Sequence, residues 1–150
     1  MAKFIYRMQG ILNVKEKMET QAKNEFAIAA AELASEEECL KKLFDRMDGY
    51  ESDLADCYNA GSLDLAKINE LNESVELMKY RIRMQKLKVK TAQKNLEDKR
   101  ALLQEAMLER KTHDKLKEKQ FEQFLKDEAA SESKEIDEIV SFRFGQELKE

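Results

Sequence analysis

Proline and tryptophan are absent from the 150 residues, glycine occurs four times, cysteine twice and histidine once. Without proline nothing removes a helical hydrogen bond or forces a kink, and with so little glycine a helix can run almost uninterrupted. His113, set among Lys111, Asp114 and Lys115, has no neighbouring nucleophile to activate and reads as a seam or surface residue of a helix. There is no Gly-rich phosphate loop, no Cys-x-x-Cys pair and no His-Glu-x-x-His spacing. An enzyme is therefore the least favoured class, and no cofactor, metal or small-molecule substrate is expected. No stretch approaches the length of a membrane-spanning helix, and the opening residues carry no apolar signal core, so the expectation is a soluble, unprocessed cytoplasmic protein. Cys39 and Cys57 would stand about 27 Å apart on one helix, too far to bond within it, and read as small buried apolar residues in a reducing compartment.

What is present is charge and apolar periodicity. Charged residues make up 39% of the chain against the ~25% usual for soluble domains. Such a composition can leave a chain disordered, but here the apolar residues recur in a 4-3 alternation, which argues for folding. In the first half the stripe runs through Ala22, Phe26, Ala29, Leu33, Glu36, Leu40, Leu43, Met47, Tyr50, Leu54 and Cys57. Upstream it is read through Phe4, Met8, Ile11, Lys15 and Met18, with one extra residue before Phe26 that would relax the supercoil locally. In the second half it runs Ile68, Leu71, Val75, Met78, Ile82, Gln85, Val89, Ala92, Leu96, Lys99, Leu103 and Ala106, then thins to Leu116, Phe121, Phe124 and Leu125.

Between the halves lies one credible turn, Asn59-Ala-Gly-Ser-Leu-Asp64, where Gly61 can take a left-handed conformation and Ser62 or Asp64 can cap the next helix. A short connection makes neighbouring helices antiparallel. The expected fold is an all-α, single-domain, two-helix antiparallel coiled-coil hairpin, with helix 1 over about 3–59, a hinge over about 59–64 and helix 2 over about 64–145. Position i then lies opposite roughly 124 − i, which sets the acidic run at 36–38 across from Lys86, Lys88 and Lys90. The arms would measure ~88 Å and ~128 Å, leaving the cluster Ile136, Ile139, Val140, Phe142 and Phe144 without an intramolecular partner, as a docking segment requires.

The net charge is −4, with local contrasts: residues 79–120 carry 14 Lys/Arg and 6 Asp/Glu, residues 121–150 carry 4 and 9. The basic run from Lys79 to Lys90 includes one aromatic, Tyr80, and faces an acidic arm, so it is not read as a nucleic-acid site. Beside the seam, Leu77, Tyr80, Met84 and Leu87 recur at helical spacing, either as a wide core or as a contact site.

The opening Phe4-x-Tyr-Arg-Met-Gln-Gly-Ile-Leu-Asn-Val-Lys-Glu16, the mid-chain glycine hinge and the closing Asp137-Glu-Ile-Val-Ser-Phe-Arg-Phe144 together resemble the flagellar export family FliJ over nearly the whole chain. The resemblance implies a non-enzymatic stalk of the type III export apparatus. Its partners would be the hexameric flagellar export ATPase, the cytoplasmic domain of the export gate and export chaperones. It implies a protein that is monomeric alone and is held peripherally at the inner face of the cell membrane at the flagellar base. Carried over by motif, the ATPase-docking residues are Phe4, Tyr6, Arg7, Asp137, Glu138, Arg143 and Phe144, and the gate-docking residues are Leu77, Tyr80 and Met84. Glu73 departs from the aromatic that the family has at that place. The rival readings are a stalk of a virulence-type secretion system and a generic dimeric tether.

The hairpin is checked by spin labels at Leu43 and Ile82: in a monomer their backbones are expected roughly 10 Å apart, the usual distance between packed helix axes. A large separation in a monomer overturns the fold.

Overall fold

Two helices, α1 (Gln9–Asn59) and α2 (Leu65–Lys149), make up nearly all of the computed structural model, which describes residues 2–149. There is no strand among the described residues. The helices run antiparallel. Lys15 bonds Glu109 and Glu25 bonds Lys99, and in both pairs the residue numbers add to about 124, the relation expected from a turn centred near residue 62.

The turn works by a side-chain cap. Asp64 accepts the Lys67 amide on Oδ1 at 3.3 Å, which satisfies one of the free donors that open α2, and its carbonyl accepts the Ile68 amide at 3.0 Å as the first bond of the helix. Gly61 is not left-handed, as no described residue has positive φ, and a Cβ there would meet nothing. The chain reverses through the bend at 60–62 without using the special freedom of glycine.

The described chain divides into two compact units, Gln21–Gln104 and Met1–Thr20 with Glu105–Glu150. In the first, α2 buries Ile68, Leu71, Val75, Met78, Ile82, Val89 and Ala92, and α1 contributes buried Ala29 with half-buried Phe26, Leu33, Leu40, Leu43, Met47, Tyr50 and Leu54. This is the 4-3 stripe of each half, and Met78, 2% exposed, alone stabilises the pairing by about 1.5–3 kcal/mol. Two of the polar interruptions of the stripes meet each other. Gln85 donates through Nε2 to the Glu36 carbonyl at 2.9 Å and also to the Glu36 carboxylate. Lys99, a third interruption, reaches Glu25 at 3.4 Å. The acidic run at 36–38 does not form ion pairs with Lys86, Lys88 and Lys90 among the described residues. Glu36 is occupied in the seam, and Lys86 lies 5.5 Å from the Phe44 ring centroid. Cys39 is exposed and Cys57 half-buried, and both thiols are free, so burial describes Cys57 better than Cys39.

In the unit formed by the chain ends, the seam differs from its sequence reading. Leu12 (2% exposed) and Glu19 (5%) are buried, whereas Ile11 and Met18 are exposed. The stripe is Met8, Leu12, Lys15, Glu19, Ala22, Phe26, Ala29, which is an unbroken heptad with no extra residue. The heptad stays continuous because the buried acid has a partner: Arg110 donates from Nε to the Glu19 carboxylate and from Nη1 to Asp114 at 2.6 Å. These bonds, to Asp114 first and to Glu19 next, raise the Arg110 pKa above its ordinary value. Lys15 binds Glu109 at 2.9 Å and Lys117 donates to Gln9 at 2.7 Å. The Nδ1 atom of His113 is buried with no partner.

Residues 2–6 are not helical, so α1 starts at Gln9 and not near residue 3. Side chains alternate there, with Ile5 77% exposed between half-buried Phe4 and buried Tyr6, a period of two that a helix cannot provide. Phe4 packs edge-on against Phe121 (5.2 Å between centroids) and tilted on Phe124 (5.4 Å). The Tyr6 carbonyl accepts the Gln9 amide at 3.2 Å and starts the first turn.

The two registers predict opposite costs. Leu12→Ala is expected to destabilise the protein by about 2–5 kcal/mol in chemical unfolding, and Ile11→Ala to change it by no more than about 0.5 kcal/mol. Phe4→Ala is expected to speed proteolysis within residues 2–8 while leaving the helical circular dichroism signal unchanged; unchanged cleavage would remove the aromatic anchor.

Candidate docking surfaces

Helical side chains become available to partners only where the opposing helix does not cover them. Two stretches of α2 present such side chains as a continuous row. Among residues 129–148 every side chain is exposed and only Gly145 is half-buried, so Ile136, Ile139, Val140, Phe142 and Phe144 all face solvent. Phe142 is 67% and Phe144 63% exposed. An apolar row of this kind on a solvated helix is held in water only by its charges, here Glu132, Glu135, Asp137, Glu138 and Arg143.

The second place is the outward face of the unit Gln21–Gln104. Leu77, Tyr80, Met84 and Leu87 are exposed at steps of three and four, on the side of α2 away from Met78, Ile82 and Gln85. The stripe is therefore not a wide core. It is flanked by Arg81, Arg83, Lys88 and Lys90, none of which has an ion-pair partner among the described residues. Glu73 is exposed as well.

The N-terminal candidates divide. Arg7 is exposed, but Tyr6 is buried with its hydroxyl unpaired and with Lys117 Nζ 6.0 Å from its ring centroid, while Phe4 is held between Phe121 and Phe124. Tyr6 and Phe4 thus fasten the N-terminal segment to α2 and offer little surface to a partner. Nor do the two terminal motifs meet: Phe124 precedes Asp137 by more than three helical turns, about 20 Å. The sequence reading missed the Glu19–Arg110 pair because it favoured apolar Met18 over charged Glu19. The signal that finds it is the unbroken seven-residue spacing. A row of exposed Ile11, Val14 and Met18 on α1 follows from the same shift.

The arrangement offers helix faces for contact. Among the described residues no group of three or more His, Cys, Asp or Glu stands close enough to hold a metal ion, and no helix is long and apolar enough to cross a membrane.

Comparison with solved structures finds a protein of the same fold from Chlamydia trachomatis, CT670, described as a YscO homolog. It superposes with a TM-score of 0.67 at 18% sequence identity over 99% of each chain. No curated protein sequence matches. The family model of the flagellar FliJ protein matches residues 4–149, so the chain belongs to the FliJ family, a structural component of flagellar type III protein export.

Proposed function

We propose that this chain is a non-enzymatic stalk that docks in the hexameric ATPase ring of the flagellar export apparatus, promotes its assembly and activity, and links it to the export gate. The observation that carries the reading is the uncovered aromatic and aliphatic row at the end of α2, Ile136 to Phe144. A row of large apolar side chains on a helix with no covering partner is suited to insertion in a groove or pore, where burial supplies affinity and the aromatic residues act as anchors. Arg7, Asp137, Glu138, Arg143 and Phe144 are the residues assigned to the ring, with Phe142 beside them. Phe4 and Tyr6 contribute by fixing the N-terminal segment. The face of Leu77, Tyr80 and Met84 is assigned to the gate's cytoplasmic domain, and export chaperones are further partners. The place of action is the inner face of the cell membrane at the flagellar base.

The mechanism needs a helical pair that transmits position. One asymmetric stalk inside a sixfold ring presents different contacts to each subunit, so the state of the ring and the state of the gate become linked through the free energy of those contacts. A virulence-type secretion system built on the same fold is the second reading, favoured by the likeness to the YscO homolog.

Phe142→Ala with Phe144→Ala is expected to reduce stimulation of the export ATPase, or assembly of its ring, about tenfold or more while helicity stays constant, since two exposed anchors lose their buried area only in the complex. Stimulation at the parental level would eliminate the docking assignment. A pull-down with the ATPase, with and without residues 134–150, separates loss of docking from loss of stimulation.

A further inference from the structure

Two exposed apolar stripes on α2 carry charges of opposite sign. From 77 to 90 there are six bases, Lys79, Arg81, Arg83, Lys86, Lys88 and Lys90, and no acid. From 128 to 148 there are six acids, Glu128, Glu132, Glu135, Asp137, Glu138 and Glu147, against Lys134 and Arg143. Lys79 pairs with Glu76 at 3.2 Å, but most of each set is not neutralised at home. Arg81, Arg83, Lys88 and Lys90 on one stripe, and Glu135, Asp137 and Glu138 on the other, make no ion pair among the described residues.

We propose that the C-terminal stripe of one copy docks antiparallel on the Leu77–Leu87 stripe of a second copy. The spacing fits: Leu148, Phe144, Val140 and Ile136 descend in steps of four, and Leu77, Tyr80, Met84 and Leu87 ascend in steps of three and four, so the two rows mesh as neighbouring helix ridges do. Charge sets the direction. Antiparallel pairing brings Glu135, Asp137 and Glu138 to the end of the stripe that holds Lys88 and Lys90. Parallel pairing would bring the same acids to Glu73 and Glu76. The occupant is another molecule because α2 is unbroken from Leu65 to Lys149 and a helix cannot fold back along itself without a break. Pairing of two tails is disfavoured, since each carries an excess of acid.

The test uses the full chain alone, without the export ATPase, so it stands apart from the docking assignment above. Sedimentation equilibrium is expected to show reversible self-association that weakens between about 0.05 M and about 0.5 M salt, as the Debye length shortens. Asp137→Lys with Glu138→Lys, and separately Arg83→Glu with Lys90→Glu, are each expected to weaken association about tenfold or more, because two attractive charges are lost and two repulsive ones take their place. Mixing the two variants is expected to restore it, since each reversed stripe then meets its complement, and this recovery also shows that both variants are folded. A chain that stays monomeric at about millimolar concentration overturns the proposal, as does a mixture that fails to associate. A loss confined to the tail variant, with the other behaving as parent, assigns the contact to two tails and likewise overturns it.

Discussion

The packing of α1 on α2 along a seven-residue seam is the interaction on which everything else depends. Neither helix has an apolar face wide enough to stand alone. Met78, Ile82, Leu12 and Ala29 leave water only because the opposing helix is there. The seam also decides what remains outside. A stripe that covers one side of α2 necessarily leaves Leu77, Tyr80, Met84 and Leu87 on the other, and it cannot cover residues to which α1 offers no opposing turn.

Register is specified by the polar residues of that seam. Leu and Ala tolerate a slip of one heptad, because each shift merely replaces one apolar contact by another. Glu36 with Gln85 and Glu19 with Arg110 do not tolerate it, since a slip leaves buried Gln85 and buried Glu19 unpaired, while the half-exposed pairs Glu25 with Lys99 and Lys15 with Glu109 add a weaker preference for the same register. The two units use this device unequally. Between Gln21 and Gln104 the seam is mainly apolar, with a few paired exceptions. In the unit of the chain ends, Lys15, Glu19, Arg110, His113 and Lys117 occupy successive seam positions. Paired charges of this kind contribute specificity more than stability. The same unit carries the uncovered tail.

Much of this was legible in the sequence. The absence of proline, the two apolar stripes and the capping Asp64 were enough to obtain two helices, their antiparallel pairing and a register correct to within a heptad. The outward stripe at Leu77 and the uncovered tail were legible too, because both follow from subtracting the seam from the apolar residues. Three features were hidden. Met18 and Glu19 compete for one seam position, and hydrophobicity favours the wrong one until Arg110 is seen on the opposing helix. Phe4 and Tyr6 look like the start of a helix, whereas their alternate burial against Phe121, Phe124 and Lys117 keeps that segment non-helical. Acid run against basic run suggested ion pairs across the hairpin, but the best-placed acid, Glu36, is taken by Gln85 and Lys86 by Phe44.

That last misreading bears on how the outer surfaces behave. Had the bases from Arg81 to Lys90 been neutralised within the hairpin, the outward stripe would be a plain apolar patch. Left unpaired, they make it an apolar row inside a positive field, and the tail is an apolar row inside a negative one. Each surface is then soluble by virtue of its charges and selective by virtue of their sign. A ligand that covers either row removes it from all other contacts, so a second copy and a partner of the export machinery compete for the same side chains. By mass action, the one that binds more tightly at its working concentration determines how many chains remain available to the other.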